Sequence, residues 1–383
     1  MGSKQQNLYR STVANSQYFS NTDVAGASHV SPSTRRQAAA VIPLSDADSA
    51  GLNVLRVVAC FMVIFLHVAA VGFHDFIPGW WASNVYDSVL RSCVPLFLMI
   101  TGALLLRKEE GLWSFFTRRF SRVVPPFLFW SFSYLSWRHW QGTLSIEWYR
   151  WPLTILEGPT AHHLWYLYAL LGIYAAIPFL RKIYLHATLS ERYAFLLLWA
   201  VASTWQLAES AQEPPSPLVD IYQFSFFAGL IGYVFLGAVI ADLLGRLQRQ
   251  RIGFLLLFIL SSALTAISTY ALSTSSGVPN TLMYSFQSPF VMAAGISLFV
   301  LLTRIGQYFQ KTPTKWLQQL SGATLGIYGI HVFVLEILHT RWINGELLPA
   351  PWLSIPIFSL VVFIVSAAVI LIVRRASWLR GII

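Results

Sequence analysis

Charge is scarce in this chain of 383 residues. Asp, Glu, Lys and Arg together make up 11% of it, against about a quarter in a soluble domain. With 56% hydrophobic residues, that deficit excludes an ordinary water-soluble globule. Cysteine is nearly absent as well. Cys60 and Cys93 both lie in apolar runs, which argues against a disulfide framework and for small buried hydrophobes. No HxxH or HExxH pattern and no carboxylate cluster occurs, so no metal site is expected. Residues 1–50 hold no apolar run of signal-peptide length. They are polar and are expected to form a disordered cytoplasmic tail. No internal repeat marks the chain as an inverted-repeat transporter.

What the chain does have is long apolar segments, at about 52–71, 89–106, 123–137, 163–180, 193–207, 221–241, 252–272, 282–303, 320–340 and 351–373. Most are near the roughly 20 residues that span a bilayer as a helix. The third and fifth are short and interrupted. Fifteen Trp, 16 Tyr and 27 Phe suit aromatic belts at the membrane surfaces. The expected fold is an all-α polytopic membrane protein of about ten transmembrane helices over residues 51–375, with a short cytoplasmic end at 376–383. The formal charge of +10 does not point to nucleic acid, because the basic residues gather in alternate loops. With the N-terminus inside, the inner loops carry Arg107, Arg118, Arg119, Arg122, Arg181, Arg192, Arg304 and Lys311, and the C-terminal end adds Arg374 and Arg380. The outer loops hold few cations and half of the acids, Asp87 among them. This inside-positive bias supports ten spans with both termini cytoplasmic.

The first segment carries two ionisable groups, Arg56 and His67. Eleven residues of helix put them on nearly one face, roughly 16 Å apart. Arg56 either snorkels to the headgroups or recognises a phosphate. His67 either hydrogen-bonds a neighbouring helix or acts as a general base. Together they suggest a long, phosphate-headed donor such as an acyl-coenzyme A. Arg91 enters the second segment from the side nearer His67. It reads as an interface anchor, or as a group that binds an acceptor or stabilises an oxyanion. Arg118, Arg119 and Arg122, just before Pro125 and Pro126, read as topology determinants or as phosphate contacts. His162 and His163 open the fourth segment, and His163 is the better candidate to line an entrance. Tyr328 and His331 share a face of the ninth segment, either for helix packing or as further polar members of a site. Glu336 lies on a different face. Trp137, Trp140, Trp148 and Trp151 flank the longest outer loop, as interfacial anchors or as a stacking wall for a sugar.

Several of these stretches occur together in a known family. Arg56-x10-His67, VPLFLMITG at 94–102, FFTRRFSRVVPP at 115–126, HLWYL at 163–167 and LGIYGIH at 325–331 follow in order over the ten segments. This set resembles the acyltransferase family 3 membrane proteins, and within them the enterobacterial common antigen O-acetyltransferase subgroup. Thr101 stands where the family more often has Ser. The resemblance implies a bacterial inner-membrane O-acyltransferase. It would move an acyl group, commonly acetyl from acetyl-CoA, to a hydroxyl of a cell-surface polysaccharide or an undecaprenyl-linked glycan precursor. No permanently bound cofactor is implied. The partners would be acyl-CoA, the glycan, membrane lipids and glycan-assembly proteins. Catalytic roles would fall to His67, Arg91, His331 and Tyr328, and donor binding to Arg56, Arg118, Arg119 and Arg122. A transporter or flippase for a lipid-linked glycan or small solute is the alternative.

Overall fold

The computed structural model describes residues 45–74, 76–77, 79–212, 218–309, 315–342, 350–376 and 379–382. The tail expected over 1–50 therefore falls outside the described residues up to 44, as does Lys311. Among the described residues there are helices and no strand. The first helix, α1 (Asp46–Ala70), begins five residues before the expected domain start. A reciprocal cap sets that boundary: Asp48 N donates to Ser45 Oγ at 3.1 Å, and Ser45 N and Oγ donate to the Asp48 carboxylate.

The second apolar segment is longer than expected and broken in two, α2 (Trp80–Leu90) and α3 (Cys93–Leu105). The break falls at Arg91–Ser92. Pro95 explains it, since proline cannot donate to the carbonyl four residues back and its ring clashes there. Asp87, expected in an outer loop, is buried in α2. Next comes α4 (Leu112–Trp140), which runs straight through Pro125 and Pro126. The basic block 118–122 is part of this helix, not a separate turn before it. The chain continues through α5 (Trp151–Glu157), α6 (Trp165–His186), α7 (Leu189–Ser210), α8 (Leu218–Ile221), α9 (Ile231–Leu247), α10 (Arg251–Ser276), α11 (Pro289–Phe309), α12 (Lys315–Trp342) and α13 (Pro351–Val373). The sixth segment starts as a long helix only at 231, because Gln223 and Gly229 hold left-handed backbone with φ of 58° and 104°.

Among the described residues, seven stretches are long and apolar enough to cross a membrane: 46–70, 80–105, 162–186, 231–276, 282–306, 315–340 and 351–373. The stretch 231–276 contains two helices, α9 and α10. Neither α4 nor α7 is among the seven; α4 carries Arg118, Arg119 and Arg122, and α7 carries Glu191 and Arg192. The chain is a multi-pass, all-helical membrane protein.

Helix α1 sits at the centre and packs on α2, α3, α11, α12 and α13. The close crossing of α3 and α9 rests on two glycines. A Cβ on Gly102 of α3 would overlap the Val234 carbonyl of α9, and one on Gly237 of α9 would overlap the Met99 backbone. Small residues let backbones approach where lipid supplies no hydrophobic drive for helix association.

Several cations counted in the sequence only as loop charge are structural. Asp242 of α9 accepts from Arg107 Nε at 2.8 Å, Arg192 Nη1 at 3.1 Å and the Tyr184 hydroxyl at 2.5 Å. Arg192 also lies over the Tyr184 ring, 4.0 Å from its centroid. Arg181 donates to the Leu105 and Glu110 carbonyls at 2.8 and 3.1 Å. Arg374 donates to the carbonyl of Gly322, one residue from the Ser321 that holds Arg56.

Overpacking the α3–α9 crossing is expected to be costly. Gly102→Val should lower stability by about 2 kcal/mol or more. Gly172→Ala, whose added methyl meets open space, should be neutral or gain about 0.5–1 kcal/mol. Thermal melting of the detergent-purified protein checks both, and equal behaviour would contradict the close crossing.

Candidate active site

Helices α1 and α12 run side by side in the same direction. Arg56 Nη1 donates to Ser321 Oγ at 3.2 Å, and Cys60 Sγ lies 3.6 Å from the Thr324 carbonyl. The His67 and His331 ring centroids are 5.2 Å apart. Contacting residues thus advance together along both helices, so the pair carries a guanidinium at one end and two imidazoles at the other. Ser321 Oγ in turn donates to Asn53 Oδ1 at 2.9 Å, which fixes the hydroxyl that receives Arg56.

A cavity of about 390 Å³ opens beside α1. Arg56, Arg119 and Arg122 line it at one end, and His67, Arg91 and His163 at the other. The stretch between them, roughly 16 Å by helical rise, includes Tyr166, Tyr174 and Thr101. Arg118 does not join the lining. It is exposed on the same helix, 3.0 Å from the Glu110 carboxylate and 2.5 Å from Ser114 Oγ. Angular position does not explain the split, since Arg118 and Arg122 are only about 40° apart around the helix; the bonds to Glu110 and Ser114 hold the Arg118 guanidinium away from the cavity.

Four histidines meet around the far end. His67, half-buried on the cavity wall, has the ring centroids of His162, His163 and His331 at 5.0, 6.3 and 5.2 Å. Among the described residues no group hydrogen-bonds the His67 ring. His331 is fully buried, with Nδ1 at 2.5 Å from the Tyr328 carbonyl. A carbonyl only accepts, so Nδ1 carries the proton and Nε2 keeps its lone pair. That Nε2 has no partner among the described residues. His163 is buried with both ring nitrogens unpartnered, and its backbone carbonyl accepts from the Tyr328 hydroxyl. Tyr328 therefore positions the His163 segment as well as lining the cavity. His162 is exposed and outside the lining, yet its ring reaches His67. No three His, Cys, Asp or Glu groups among the described residues are placed to hold a metal.

Arg91, at the break between α2 and α3, is held by Asp87 Oδ2 at 2.7 Å and stacks 4.3 Å from the Tyr284 ring centroid. Glu336 stands apart and accepts from Trp137 Nε1 at 3.1 Å. Of the residues singled out in the sequence, the fold brings His67, Arg91, Tyr328, Arg56, Arg119 and Arg122 to one cavity, with His331 directly behind His67. Sequence reasoning missed Asp87, Ser321, Tyr166 and Tyr174. Asp87 was legible, four residues before Arg91. Ser321 was not, being 265 residues from Arg56.

Taken together, these features define a class: an all-helical membrane protein whose interior cavity has cations at one end and imidazoles at the other. Residues 49–373 match the acyltransferase domain of the Acyl_transf_3 family, and the chain belongs to acyltransferase family 3. Comparison with curated proteins and with solved structures finds no match.

Removing the Asp87 carboxylate leaves Arg91 without its counter-ion in a mostly buried setting. Asp87→Ala is expected to cost about 3 kcal/mol of stability, and Asp87→Ala with Arg91→Met to recover most of it. Denaturation in detergent of the parent, Asp87→Ala, Arg91→Met and the double variant forms the test cycle; a double variant no better than Asp87→Ala would argue against the pair.

Proposed function

We infer that the protein transfers an acyl group, acetyl from acetyl-CoA in the simplest case, to a hydroxyl of a cell-surface polysaccharide or its lipid-linked precursor. The observation that carries this reading is the single cavity joining Arg56, Arg119 and Arg122 to His67. A guanidinium cluster suits the phosphates of a coenzyme A, and the length of the cavity suits its pantetheine arm. The HLWYL and LGIYGIH motifs support a surface-glycan acceptor of the kind used by the common antigen subgroup. Membership in an acyltransferase family favours this chemistry over the transport alternative.

In this reading the chain crosses a bacterial inner membrane ten times, with both termini and the Arg56 end in the cytoplasm. The donor enters there and its thioester reaches His67. His67 takes the proton of the acceptor hydroxyl as the oxygen attacks the thioester carbon. The carbon–sulfur bond then breaks, and the departing thiolate takes the proton from His67. Arg91 stabilises the oxyanion formed in between. His331 packs against the His67 ring, with centroids 5.2 Å apart, and limits the positions that ring can take. Arg118, exposed and paired elsewhere, has no part in donor binding here.

His67→Ala should lower acyl transfer by about a hundredfold or more, and Arg56→Ala should raise the KM for acetyl-CoA by about tenfold. Release of coenzyme A thiol and ester formation on extracted glycan, measured in membranes with matched protein levels, test both. Full activity in the His67 variant would overturn the mechanism.

A further inference from the structure

A second cavity, also about 390 Å³, lies at the His67 end of the molecule, lined by Trp165, Gly229, Leu230, Ser285, Phe286 and Gln287. Trp165 and Phe286 line the first cavity too. Their rings stack, with centroids 5.7 Å apart and planes at 26°. The two rings are thus the partition between the imidazole end of the proposed donor cavity and a second hollow beyond it.

The second hollow is built from three braced segments. Trp165 begins α6. Gly229 and Leu230 lead into α9, and the Gly229 carbonyl accepts from Trp199 Nε1 at 2.8 Å. Ser285 to Gln287 lead into α11, and the Phe286 carbonyl accepts from the Tyr233 hydroxyl at 2.5 Å. The side chain of Gln287 donates to that of Gln206 on α7. This bond uses one amide's oxygen and the other's nitrogen. It leaves the oxygen of Gln287, which lines the hollow, to accept, while Gln206 braces it from outside the lining. At Gly229 a side chain would meet open space, so the hollow is not filled from that side.

We propose that this second cavity is a binding site for a sugar ring of the acceptor, seated against the Trp165–Phe286 pair. The chemistry matches on both faces of such a ligand. A pyranose presents an apolar C–H face, which an aromatic ring covers, and a rim of hydroxyls, which the carboxamide oxygen of Gln287 in the lining can accept from. The position matches as well, since a hydroxyl on that ring needs only to pass the partition to reach the His67 end of the first cavity. The groove at Phe129, Phe132, Trp140 and Phe333 is a poorer fit. Its lining of five aromatic residues and two serines has no amide, and Trp140 is 76% exposed.

The proposal rests on the acyltransferase reading, and two measurements separate their failures. In cells whose own copy is replaced, ester content of surface glycans is read by mass spectrometry for the deletion, Leu230→Trp, Gln287→Ala and Trp140→Ala. In parallel, acetyl-CoA binding to the purified full-length chain is read by calorimetry. Leu230→Trp should fill the hollow and Gln287→Ala should remove its one carboxamide. Each is expected to lower ester content about tenfold, the equivalent of one or two lost polar contacts, with acetyl-CoA affinity within about twofold of the parent. Trp140→Ala should retain the parent's ester content. If both pocket variants keep that ester content, or if only Trp140→Ala loses it, the acceptor site is elsewhere and the proposal falls. A deletion that loses no ester, with a parent that binds no acetyl-CoA, overturns the acyltransferase reading and this site with it.

Discussion

A guanidinium and an imidazole on one face of a central helix are expensive to bury, and the packing around α1 is arranged to house them. Arg56 is received by Ser321, itself held by Asn53. His67 is surrounded by three more imidazoles. Both groups also look onto a cavity, so neither is sealed in apolar surroundings. Because α12 runs parallel to α1, one helix pair serves both ends of the cavity. Intramembrane ionisable groups that face a cavity and not lipid are the arrangement expected of a functional site.

The helices that form the rest of the wall are held by two kinds of contact. At α3–α9 glycines bring backbones together, which leaves side chains elsewhere to define the cavity. Toward the end where Arg56 lies, buried ion pairs do the joining. Asp242 gathers Arg107, Arg192 and Tyr184 from three separate segments. Such pairs add little net stability over apolar packing, but removing one member is costly. They therefore specify which helices meet more than they strengthen the meeting. The basic residues at this end serve twice, as the charge bias that orients a membrane chain and, in Arg107, Arg181 and Arg192, as interior struts.

Much of this was legible in the linear chain. Every apolar segment carries helix, and the spacing of Arg56 and His67 set both the face and the length of the cavity. The misreadings have local causes. Asp87 was assigned to a loop because the second segment was started at its most apolar stretch, whereas α2 begins at Trp80. Residues 46–50 were assigned to the tail because their composition is polar, although Ser45 and Asp48 form a cap. Arg118 was grouped with Arg119 and Arg122 by proximity in sequence, and its bonds to Glu110 and Ser114 keep it out of the cavity lining that the other two share.

The sequence by itself determined the helical class, the family and the two residues that anchor the site, because hydrophobic runs and helical periodicity are local properties of the chain. Only the tertiary structure decided what those residues meet. His331 stands behind His67, Ser321 takes Arg56, and Trp165 and Phe286 divide two cavities. Each of these contacts joins residues more than a hundred positions apart, and which helix lies beside which is fixed by the fit of whole surfaces, a quantity no single segment contains.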